Sequence, residues 1–561
     1  MLIRKLARRF TRENSVAQLL RPTRRHFLAT ASAAVAGIGL GLAPTTLIAL
    51  PRRSFRSVQS FGPDMIDTDH MHRLARRAID AAMAAGASYA DVRIADRRQL
   101  DTISFSRDIA GTLGFEFVFG LRVLYDGVWA FAFGADPSAE GVVDAAQRTV
   151  HTAAAIAKDS RAATDLLPIP IVTGEWTTPA EIDPFAVSPD AHCDMLEALG
   201  MAAERVKPNG GLVMNVQWTK ETRVFASSEG SLVTQQLTNV RTGGQLDIGT
   251  SYQEGVIFAS STLRPRSGGF EILVGPRVQE SIKQELETSR RYLGLPETTI
   301  DVGRHEVVVD GTTVGAMIGS TILPGLELGR VFGQEIDTVG SSPLGPPREV
   351  LGTQKLGTLL TVTADRSVPH YGATRWDDEG VVTSSFPVIQ QGRIVNYFAT
   401  RSQAAQLQQE TRTPVKIHGT AVSWGAANMP VGTGVALTVA PGVDETATLD
   451  TLIGQVQHGY LIHGGQMGDS DSHLATAVMN PWMVFEINRG RVTRRVIGRP
   501  TIQFSVLGVW KSLQALGGAA SSDTFVHFGM HGQPWGVTAQ VIDAPPARFA
   551  QMDLFDWRSA E

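Results

Sequence analysis

Apolar residues recur at helical spacing in four segments of the N-terminal half of the chain. The first covers residues 67–86, with Asp67-Thr68-Asp69 as its capping segment, and the second covers 141–158. The third covers 188–206, and the fourth is an amphipathic segment over 275–293. Each is long enough for a stable helix, so the pattern predicts four helices separated by extended chain.

Alternating apolar and polar residues predict β-strands between and after these helices. Four runs in the N-terminal half share the strand period of two, namely 90–94, 102–105, 115–124 and 128–133. Asp126-Gly127, between the last two runs, is a strong signal for a tight hairpin turn. Further strands with Gly and Ser turns fill 211–262, and from Val302 onward the chain is rich in strands and glycine.

This order of elements predicts an α+β protein with two parts. Helices and strands mix in an N-terminal α/β domain over residues 64–300, and strands dominate a C-terminal domain over residues 301–550. A linker at 51–63 precedes the first domain, and residues 551–561 form a tail. The chain has 561 residues. The roughly 500 that follow the linker are enough to bury a sizeable core in each part.

The N-terminal region carries a twin-arginine export signal. Arg24 and Arg25 are followed by Phe27 and Leu28, and the segment 27–50 contains no charged residue. An arginine pair before a weakly apolar Ala/Gly-rich segment is the address of the bacterial export route for folded proteins. The alternative is a membrane anchor, since about 20 apolar residues span a bilayer. We therefore predict a signal or anchor over residues 1–50, transient membrane contact through it, and a location in the periplasm or at the outer face of the inner membrane.

The composition describes an ordinary globular protein. Hydrophobic residues make up 43% of the chain, charged residues 19%, and the net charge is -4. This balance lacks the basic excess of a nucleic-acid binder, so we expect no nucleic-acid partner. The single cysteine, Cys193, cannot form an internal disulfide, and we predict it to be a buried small hydrophobic residue on the third helix.

Six short motifs occur in an order that is specific, although each alone is weak. They are the segments 84–93, 120–132, 225–231, 377–380, 391–405 and 485–493. Together they resemble the TldD/PmbA family of metallopeptidases, also described as modulators of DNA gyrase, over nearly the full length after the signal. The resemblance implies the fold of that family, with a β-rich, barrel-like C-terminal domain.

The zinc motif of that family is degenerate in this chain. Catalytic members carry H-E-x-x-x-H on a helix, where two histidines hold a zinc ion and the glutamate serves as general base. The resemblance places the motif within 315–327, with Gly319 and Pro324 at the histidine positions and Ser320 at the glutamate position. Glycine and proline offer no side-chain ligand, Pro324 would end the helix, and the late metal-binding cysteine of the family is missing. We therefore expect no cofactor and no catalytic residue at these positions.

Two other segments contain the residue types that bind metals. His305-Glu306 lies on a β-branched run, where successive side chains point to opposite faces, so we interpret it as the start of a strand. The segment 463–473 carries two histidines and two aspartates in a predicted flexible Gly/Ser loop, and they could converge on a zinc ion: His463, Asp469, Asp471 and His473. The other interpretation, which we favour, is a solvated loop in which Asp and Ser form turns.

The segment Asp377-Asp378-Glu379-Gly380 matches the D-D-E-G signature of the family. Its three carboxylates could act as a general-base cluster. The Asp-Glu-Gly order favours instead a tight turn that starts a strand, in which one carboxylate accepts hydrogen bonds from backbone N–H groups.

These observations predict an exported, metal-free protein that binds extended peptide as the non-catalytic subunit of an assembly. The resemblance implies dimeric units around a chamber, in which a substrate strand adds to a sheet edge. The partner would be a zinc-bearing TldD-like paralogue that carries out proteolysis, or a second copy of this chain. Two alternatives stay open, an active metallopeptidase with its metal at 463–473 and an envelope scaffold protein that binds neither metal nor peptide.

Overall fold

The structure is a computed structural model that describes most of the chain beyond the predicted signal. The described residues are 46–51, 65–105, 108–136, 138–159, 164–206, 211–247, 256–257, 265–274, 278, 292, 294–532 and 536–556. Arg24, Arg25, Phe27 and Leu28 lie outside them, and so does nearly all of the helix predicted at 275–293. The predicted signal and the domain boundaries therefore stay predictions.

The N-terminal part is built on one large, mainly antiparallel sheet. Among the described residues it has nine strands in the order β1-β3-β2-β6-β7-β5, with β4 beside β3 and with β8 and β9 beside β7. The bounds are β1 Thr46–Pro51, β2 Tyr89–Phe105, β3 Asp108–Tyr125, β4 Val128–Gly134, β5 Thr173–Thr177, β6 Gly211–Ser227, β7 Leu232–Asp247, β8 Val256–Ile257 and β9 Arg266–Ser267. The strand β1 lies at the end of the segment predicted as signal or anchor.

The hairpin predicted at Asp126-Gly127 is confirmed. Asp126 has φ 47° and Gly127 has φ 75°, the left-handed values that a tight hairpin turn requires. The two runs predicted at 90–94 and 102–105 are one continuous strand, β2, because no glycine or proline interrupts the residues between them and the whole strand pairs with β3.

Three long helices accompany this sheet, as the apolar spacing predicts. They are α1 Thr68–Ala84, α2 Ala139–Ala157 and α3 Pro189–Val206. Asp67 caps α1 by accepting a hydrogen bond from the Asp69 N–H. The helices α1 and α2 cover one face of the sheet, where their alanine-rich stripes pack on β2, β3 and β6 in a single apolar cluster.

The C-terminal part contains a closed β-barrel. Eight strands form the sheet β10-β20-β19-β18-β11-β25-β21, with β22 beside β25, and β19 also pairs with β21. This last pairing closes β19, β18, β11, β25 and β21 into a ring of five strands. The bounds are β10 Glu297–Thr298, β11 Gly303–Val309, β18 His458–Ser470, β19 Thr476–Asn488, β20 Arg491–Val496, β21 Pro500–Ser505, β22 Leu513–Leu516 and β25 Ala547–Asp556.

A second C-terminal sheet has six strands in the order β14-β13-β12-β17-β24-β23, and β15 and β16 form a separate pair. The bounds are β12 Val362–Ala364, β13 Phe386–Gln390, β14 Arg393–Ile394, β15 Ala421–Val422, β16 Val431–Gly432, β17 Ala436–Val439, β23 Asp523–His531 and β24 Gly536–Ala544. The strand β23 is the terminal strand of its sheet within the described residues. The predicted α+β class with a barrel-like C-terminal domain is thus confirmed.

Short helices connect these strands. Their bounds are α4 Gly311–Met317, α5 Leu323–Gly325, α6 Leu328–Val331, α7 Pro347–Val350, α8 Arg401–Thr411, α9 Leu449–Gly454 and α10 Val506–Lys511. A π-helical turn, Ile318–Ile322, joins α4 to α5, and two 3-10 helices lie at Phe270–Leu273 and Ala519–Ser521. Among the described residues, no helix has the length and apolar character needed to cross a membrane.

Candidate functional site

The positions at which the resemblance places the zinc motif lie on the helical segment that runs from α4 through the π turn to α5, which we call the motif helix. Asp310 caps its start, with Oδ1 accepting from the Thr313 N–H at 2.7 Å. Gly319 and Ser320 lie in the π turn, and Pro324 lies in the last turn. The helix ends at Gly325, directly after Pro324.

Three glycines of the motif helix lie against β23, one helical turn apart. A Cβ added at Gly311 would lie 2.9 Å from the Cβ of Asp523, and one added at Gly315 would lie 2.5 Å from the Cβ of Phe525. A Cβ at Gly319 would lie 2.7 Å from the Cβ of His527. Such distances are shorter than real carbon contacts, so the helix and the strand approach too closely for any side chain at these positions. Strand β23 occupies the space that a histidine side chain at position 319 would need.

The end of the motif helix carries a buried cluster of ionisable residues. Glu327 accepts a hydrogen bond from Arg330 Nε at 3.1 Å and another from Thr433 Oγ1 at 2.5 Å. His531 Nδ1 lies 3.9 Å from both Glu327 Oε2 and Glu335 Oε1. Burial acts to lower the pKa of His531, but the two carboxylates outweigh it and raise the pKa above its ordinary value. This arrangement favours an imidazolium held between two carboxylates.

The D-D-E-G turn connects the two domains. Asp377 forms the predicted turn, since Oδ1 accepts from the N–H groups of Glu379 and Val381, both at 2.9 Å. Gly380 has φ 78°, which favours glycine at that position. Burial, and then the charge of Glu379, raise the pKa of Asp377 to about 7. The tight turn and its capping carboxylate are therefore confirmed, but the predicted strand start is wrong, since the next strand, β13, begins at Phe386.

The other two carboxylates of this turn bind arginines of the N-terminal sheet. Arg122 donates from Nη1 to Glu379 Oε1 at 2.8 Å and from Nη2 to Asp91 Oδ2 at 2.6 Å. Arg223 donates from Nη1 to Asp378 Oδ1 at 2.5 Å. The side chains of Arg122, Asp91 and Glu379 are 3%, 0% and 1% exposed, so these charges are buried between the domains.

A further arginine extends this network from the C-terminal side. Arg401, at the start of α8, donates to both carboxylate oxygens of Glu229 at 2.8 and 2.9 Å. Its own backbone N–H donates to Glu379 Oε2 at 2.6 Å. The sequence interpretation missed these arginines. The available signal was the placement of charged residues two apart on one strand, as in Asp91 and Arg93, which marks a charged face.

A pocket of about 720 Å³ opens beside this network. Its wall includes Arg122 and Trp129 from the N-terminal sheet and Glu335 and Gly532 from the region at the end of the motif helix. The α8 side adds five more polar residues, Ser402, Gln403, Gln406, Gln409 and Glu410, and Asp165 adds another carboxylate. Amide and hydroxyl groups can donate to and accept from a backbone, so this wall suits a polar chain such as a peptide.

Each residue of the alternative metal site contacts a different partner. His463 lies on β18, with Nδ1 2.9 Å from Asp310 Oδ2, and His473 Nδ1 lies 2.8 Å from Ser341 Oγ. Asp471 accepts from the N–H groups of His473 and Thr476 at 2.9 and 2.6 Å, as a turn former does. Asp469 accepts from the Ser470 N–H at 2.8 Å. Within the described ranges, no three His, Cys, Asp or Glu side chains are grouped so that they could hold a metal ion.

The prediction of a flexible loop at 463–473 is wrong for most of that segment. Residues up to Ser470 belong to β18, which pairs with β19 with a bulge between Met467 and Asp469. Gly464 has φ 69°, and a Cβ there would lie 2.1 Å from a ring carbon of Trp482, so the glycines allow close packing inside a strand.

Two smaller predictions are confirmed. His305-Glu306 lies at the start of β11, where Nε2 of His305 is 2.7 Å from the Asp301 carbonyl and Glu306 pairs with Arg548. Cys193 is fully buried in the apolar cluster under α3.

Solved structures share this architecture. One is described as a modulator of a DNA gyrase from Thermotoga maritima, with a TM-score of 0.63 and 16% identity over 86% of this chain and 100% of that chain. Another is TldE from Thermococcus kodakarensis, with a TM-score of 0.63 and 16% identity over 86% of this chain and 99% of that chain. A third, described as a modulator of DNA gyrase from Bacteroides thetaiotaomicron, has a TM-score of 0.62 and 16% identity over 88% of this chain and 100% of that chain. The fold is therefore the one that these proteins share.

Sequence comparison gives the family. The profile described as PmbA/TldA metallopeptidase domain 1 matches residues 90–157, and the profile of the PmbA/TldA metallopeptidase C-terminal domain matches residues 302–554. A protein described as a metalloprotease from Methanothermobacter thermautotrophicus is 23% identical over 430 residues, which are 76% of this chain and 86% of that protein. The chain belongs to the PmbA/TldD family of metallopeptidase-like proteins.

Proposed function

We propose that this chain is an exported, peptide-binding and non-catalytic subunit that assists proteolysis by a zinc-bearing paralogue. The observation that carries the proposal is the packing of Gly319 against His527, because it replaces the first zinc ligand of the family by a close contact between the motif helix and β23. A reversion of this one residue to histidine would not restore the site without moving the strand.

The residues at the motif positions do not fit a zinc ion. Gly319 and Pro324 have no ligand atom, and the Ser320 hydroxyl lies 3.5 Å from Nδ1 of His527. Burial lowers the pKa of His527 to about 4, so its imidazole stays neutral at physiological pH. His527 lies on β23, and the motif helix itself contains no histidine. A neutral imidazole beside a hydroxyl lacks the set of three protein ligands that catalytic zinc uses.

The peptide would bind along β23. This strand is the terminal strand of its sheet within the described residues, and an extended peptide can add to such an edge through backbone hydrogen bonds. Phe528 and Met530 lie on the same face of β23 and are 48% and 50% exposed. The strand ends at His531, and Gly532 lines the large polar pocket. The Met530 carbonyl accepts from Arg330 at 3.2 Å and the Gly532 N–H donates to Glu335 at 3.1 Å, so a peptide on this edge would reach that pocket by displacing these two side chains.

The partner would be a paralogue that retains H-E-x-x-x-H, or a second copy of the chain. The twin-arginine route carries folded cargo, so the partner could lack a signal and cross the membrane bound to this chain. An interface that survives transport would bury on the order of 1,000 Å² or more.

Replacing Arg24 and Arg25 by lysine should leave the folded chain in the cytoplasm, because the receptor reads guanidinium geometry.

The test is a reconstitution with a matched pair of variants. The mature chain and its H-E-x-x-x-H paralogue should co-purify from the periplasm, and peptidase activity should be higher in the mixture than in either protein alone. Phe528→Asp should weaken binding of a fluorescent unstructured peptide by at least about tenfold, as removal of a central apolar anchor does. Phe555→Asp, at a residue that is 40% exposed on the barrel strand β25, should leave binding unchanged.

Zinc analysis of the isolated chain gives an independent test. We expect far less than one equivalent of zinc after dialysis. Near-stoichiometric zinc that is lost in His463→Ala or His473→Ala would replace this proposal with the relocated metal site. A homo-oligomer that binds no peptide and gains no activity with any paralogue would leave a scaffold function.

A further inference from the structure

A second, smaller pocket of about 120 Å³ lies between the charged face of the N-terminal sheet and the C-terminal domain. Four arginines line it, Arg97 from β2, Arg223 from β6, Arg241 from β7 and Arg366 after β12. We call it the arginine pocket. It is distinct from the large polar pocket, since the two have no lining residue in common.

Among the described residues that line this pocket, positive charges outnumber negative ones. Glu221 is the one carboxylate among the described lining residues, and it pairs with Arg223, which also binds Asp378. In the described part of the chain, no carboxylate oxygen forms an ion pair, at 4 Å or less, with a side-chain nitrogen of Arg97, Arg241 or Arg366. Arg97 donates to Gln99 Oε1 at 3.2 Å.

The other two unpaired arginines are held in place by weaker contacts. Arg366 donates to the carbonyl oxygens of Gly372 and Gly419 at 3.3–3.4 Å. The Arg241 guanidinium lies 5.3 Å from the ring centre of Phe528 and belongs to a side chain that is 8% exposed. Burial lowers the pKa of Arg366, which reflects the cost of holding a charge away from water without a full partner.

Other carboxylates lie near these arginines without pairing directly with them. Asp378 and Asp377 act to raise the pKa of Arg366, and Arg97 acts to lower the pKa of Glu116, but burial outweighs both effects. Asp101 accepts from Gln217, a lining residue, at 2.7 Å, and Gln99 also donates to it. Arg241 and Arg97 lower the pKa of Asp101, but burial outweighs them and the net shift is upward. Asp101 therefore offsets part of the charge of two arginines without forming an ion pair with either.

The size and walls of the arginine pocket suit a carboxylate that carries a short apolar chain. A water molecule needs a cavity of about 10–15 Å³. The arginine pocket, at about 120 Å³, can therefore hold a carboxylate group with the atoms that follow it. Its walls include Leu237, Val435 and Ala539, with Tyr371 and Trp424 as aromatic neighbours. Guanidinium groups bind carboxylates through paired hydrogen bonds, which makes arginine the fitting residue for this ligand.

The pocket is connected to the proposed peptide edge. Phe528, which stacks with Arg241, lies on β23 and pairs with Ala539 of β24, a residue of the pocket wall. We propose that the arginine pocket binds the C-terminal carboxylate of the extended peptide that lies along β23. The proposal rests on the peptide-binding function given above and adds a determinant of specificity, a preference for free peptide C-termini.

The test compares one peptide in two forms, with a free C-terminal carboxylate and with a C-terminal amide, by fluorescence anisotropy with an N-terminal label. The acid should bind about 10- to 100-fold tighter, as expected for hydrogen bonds to a charged group. Arg241→Gln and Arg366→Gln should bring this ratio close to one. Arg375→Gln is the control, because Arg375 is exposed, stacks on Trp376 and does not line the pocket. Arg97→Gln, at a partly exposed residue, serves as a third variant if a buried substitution disturbs folding.

Each outcome separates this proposal from the proposed function. Equal binding of acid and amide by the wild-type chain overturns the carboxylate assignment and leaves peptide binding intact. Binding of neither form removes the peptide function and this proposal with it. Inorganic phosphate that competes with neither form but raises the melting temperature, an effect lost in Arg241→Gln, assigns the pocket to a free oxyanion and overturns the peptide assignment.

Discussion

The two faces of the N-terminal sheet are buried by different physical means. Leu121 and Arg122 are neighbours on β3 and point to opposite faces, and both are almost fully buried, at 0% and 3% exposure. Leu121 packs in the apolar cluster with α1 and α2. Arg122 binds Asp91 on its own sheet and Glu379 of the C-terminal domain.

The apolar face tolerates small movements, because the hydrophobic effect depends on area and not on direction. The ionic face does not, because a buried charge is stable only when its partner has the right geometry. The charged face therefore fixes the position of the C-terminal domain on the sheet. That position in turn forms the large polar pocket and the arginine pocket, both of which lie along this face.

The largest expected effect comes from breaking the ionic face. Arg122→Met leaves Asp91 and Glu379 buried without their partner, and should lower the free energy of unfolding by about 3–5 kcal/mol. Urea denaturation measures it. Arg148→Met is the control, because Arg148 is 69% exposed and pairs only with Asp144 on α2, a contact worth at most about 0.5 kcal/mol. A loss below about 1 kcal/mol for Arg122→Met would show that water enters the interface and solvates the carboxylates.

A somewhat smaller effect is expected on the apolar face. Leu121→Ala removes buried methyl groups and leaves a cavity, which typically costs about 2–4 kcal/mol. The peptide affinity of the folded protein should be unchanged, since the side chain faces away from both pockets. A loss of affinity in the folded Leu121→Ala variant would mean that the two faces are coupled through the sheet.

The contact between the motif helix and β23 gives a third prediction. Gly319→Ala would raise helix propensity by about 1 kcal/mol. It would also place a Cβ 2.7 Å from the Cβ of His527. Overpacking of this kind costs about 1–3 kcal/mol, so the net effect on stability should be destabilising. Ser320→Ala, at the next residue, should change the melting temperature less, and a stabilised Gly319→Ala would show that β23 yields easily.

The last effect concerns pH, and it is absent near neutral pH. His192 on α3 is fully buried between Trp218 and Phe270, and burial lowers its pKa to about 4. Because the folded pKa lies below the unfolded value of about 6.5, the stabilisation is complete above pH 6.5 and is lost as the pH falls toward 4. His192→Phe should remove a slope of up to about 1.4 kcal/mol per pH unit in that window. His151→Phe, at an exposed position on α2, should leave the slope unchanged.

The sequence alone determined the features that depend on neighbouring residues. Asp67 predicted the start of α1, Asp126-Gly127 predicted the hairpin between β3 and β4, and the order of helices and strands predicted the α+β class. The ordered motifs identified the family. Each of these depends on local backbone preference or on the chemistry of one side chain.

Tertiary structure decided what depends on distant residues. The strand at 458–470 contains glycines that resemble a loop in sequence, and only the packing of Trp482 on Gly464 shows why they are there. Glu379 is 257 residues from Arg122 in the chain, so no local pattern joins the two into an ion pair. The arginine pocket likewise takes residues from β2, β6, β7 and the C-terminal domain. Long-range electrostatic contacts depend on how the sheets are placed, and the local sequence does not encode that placement in a readable pattern.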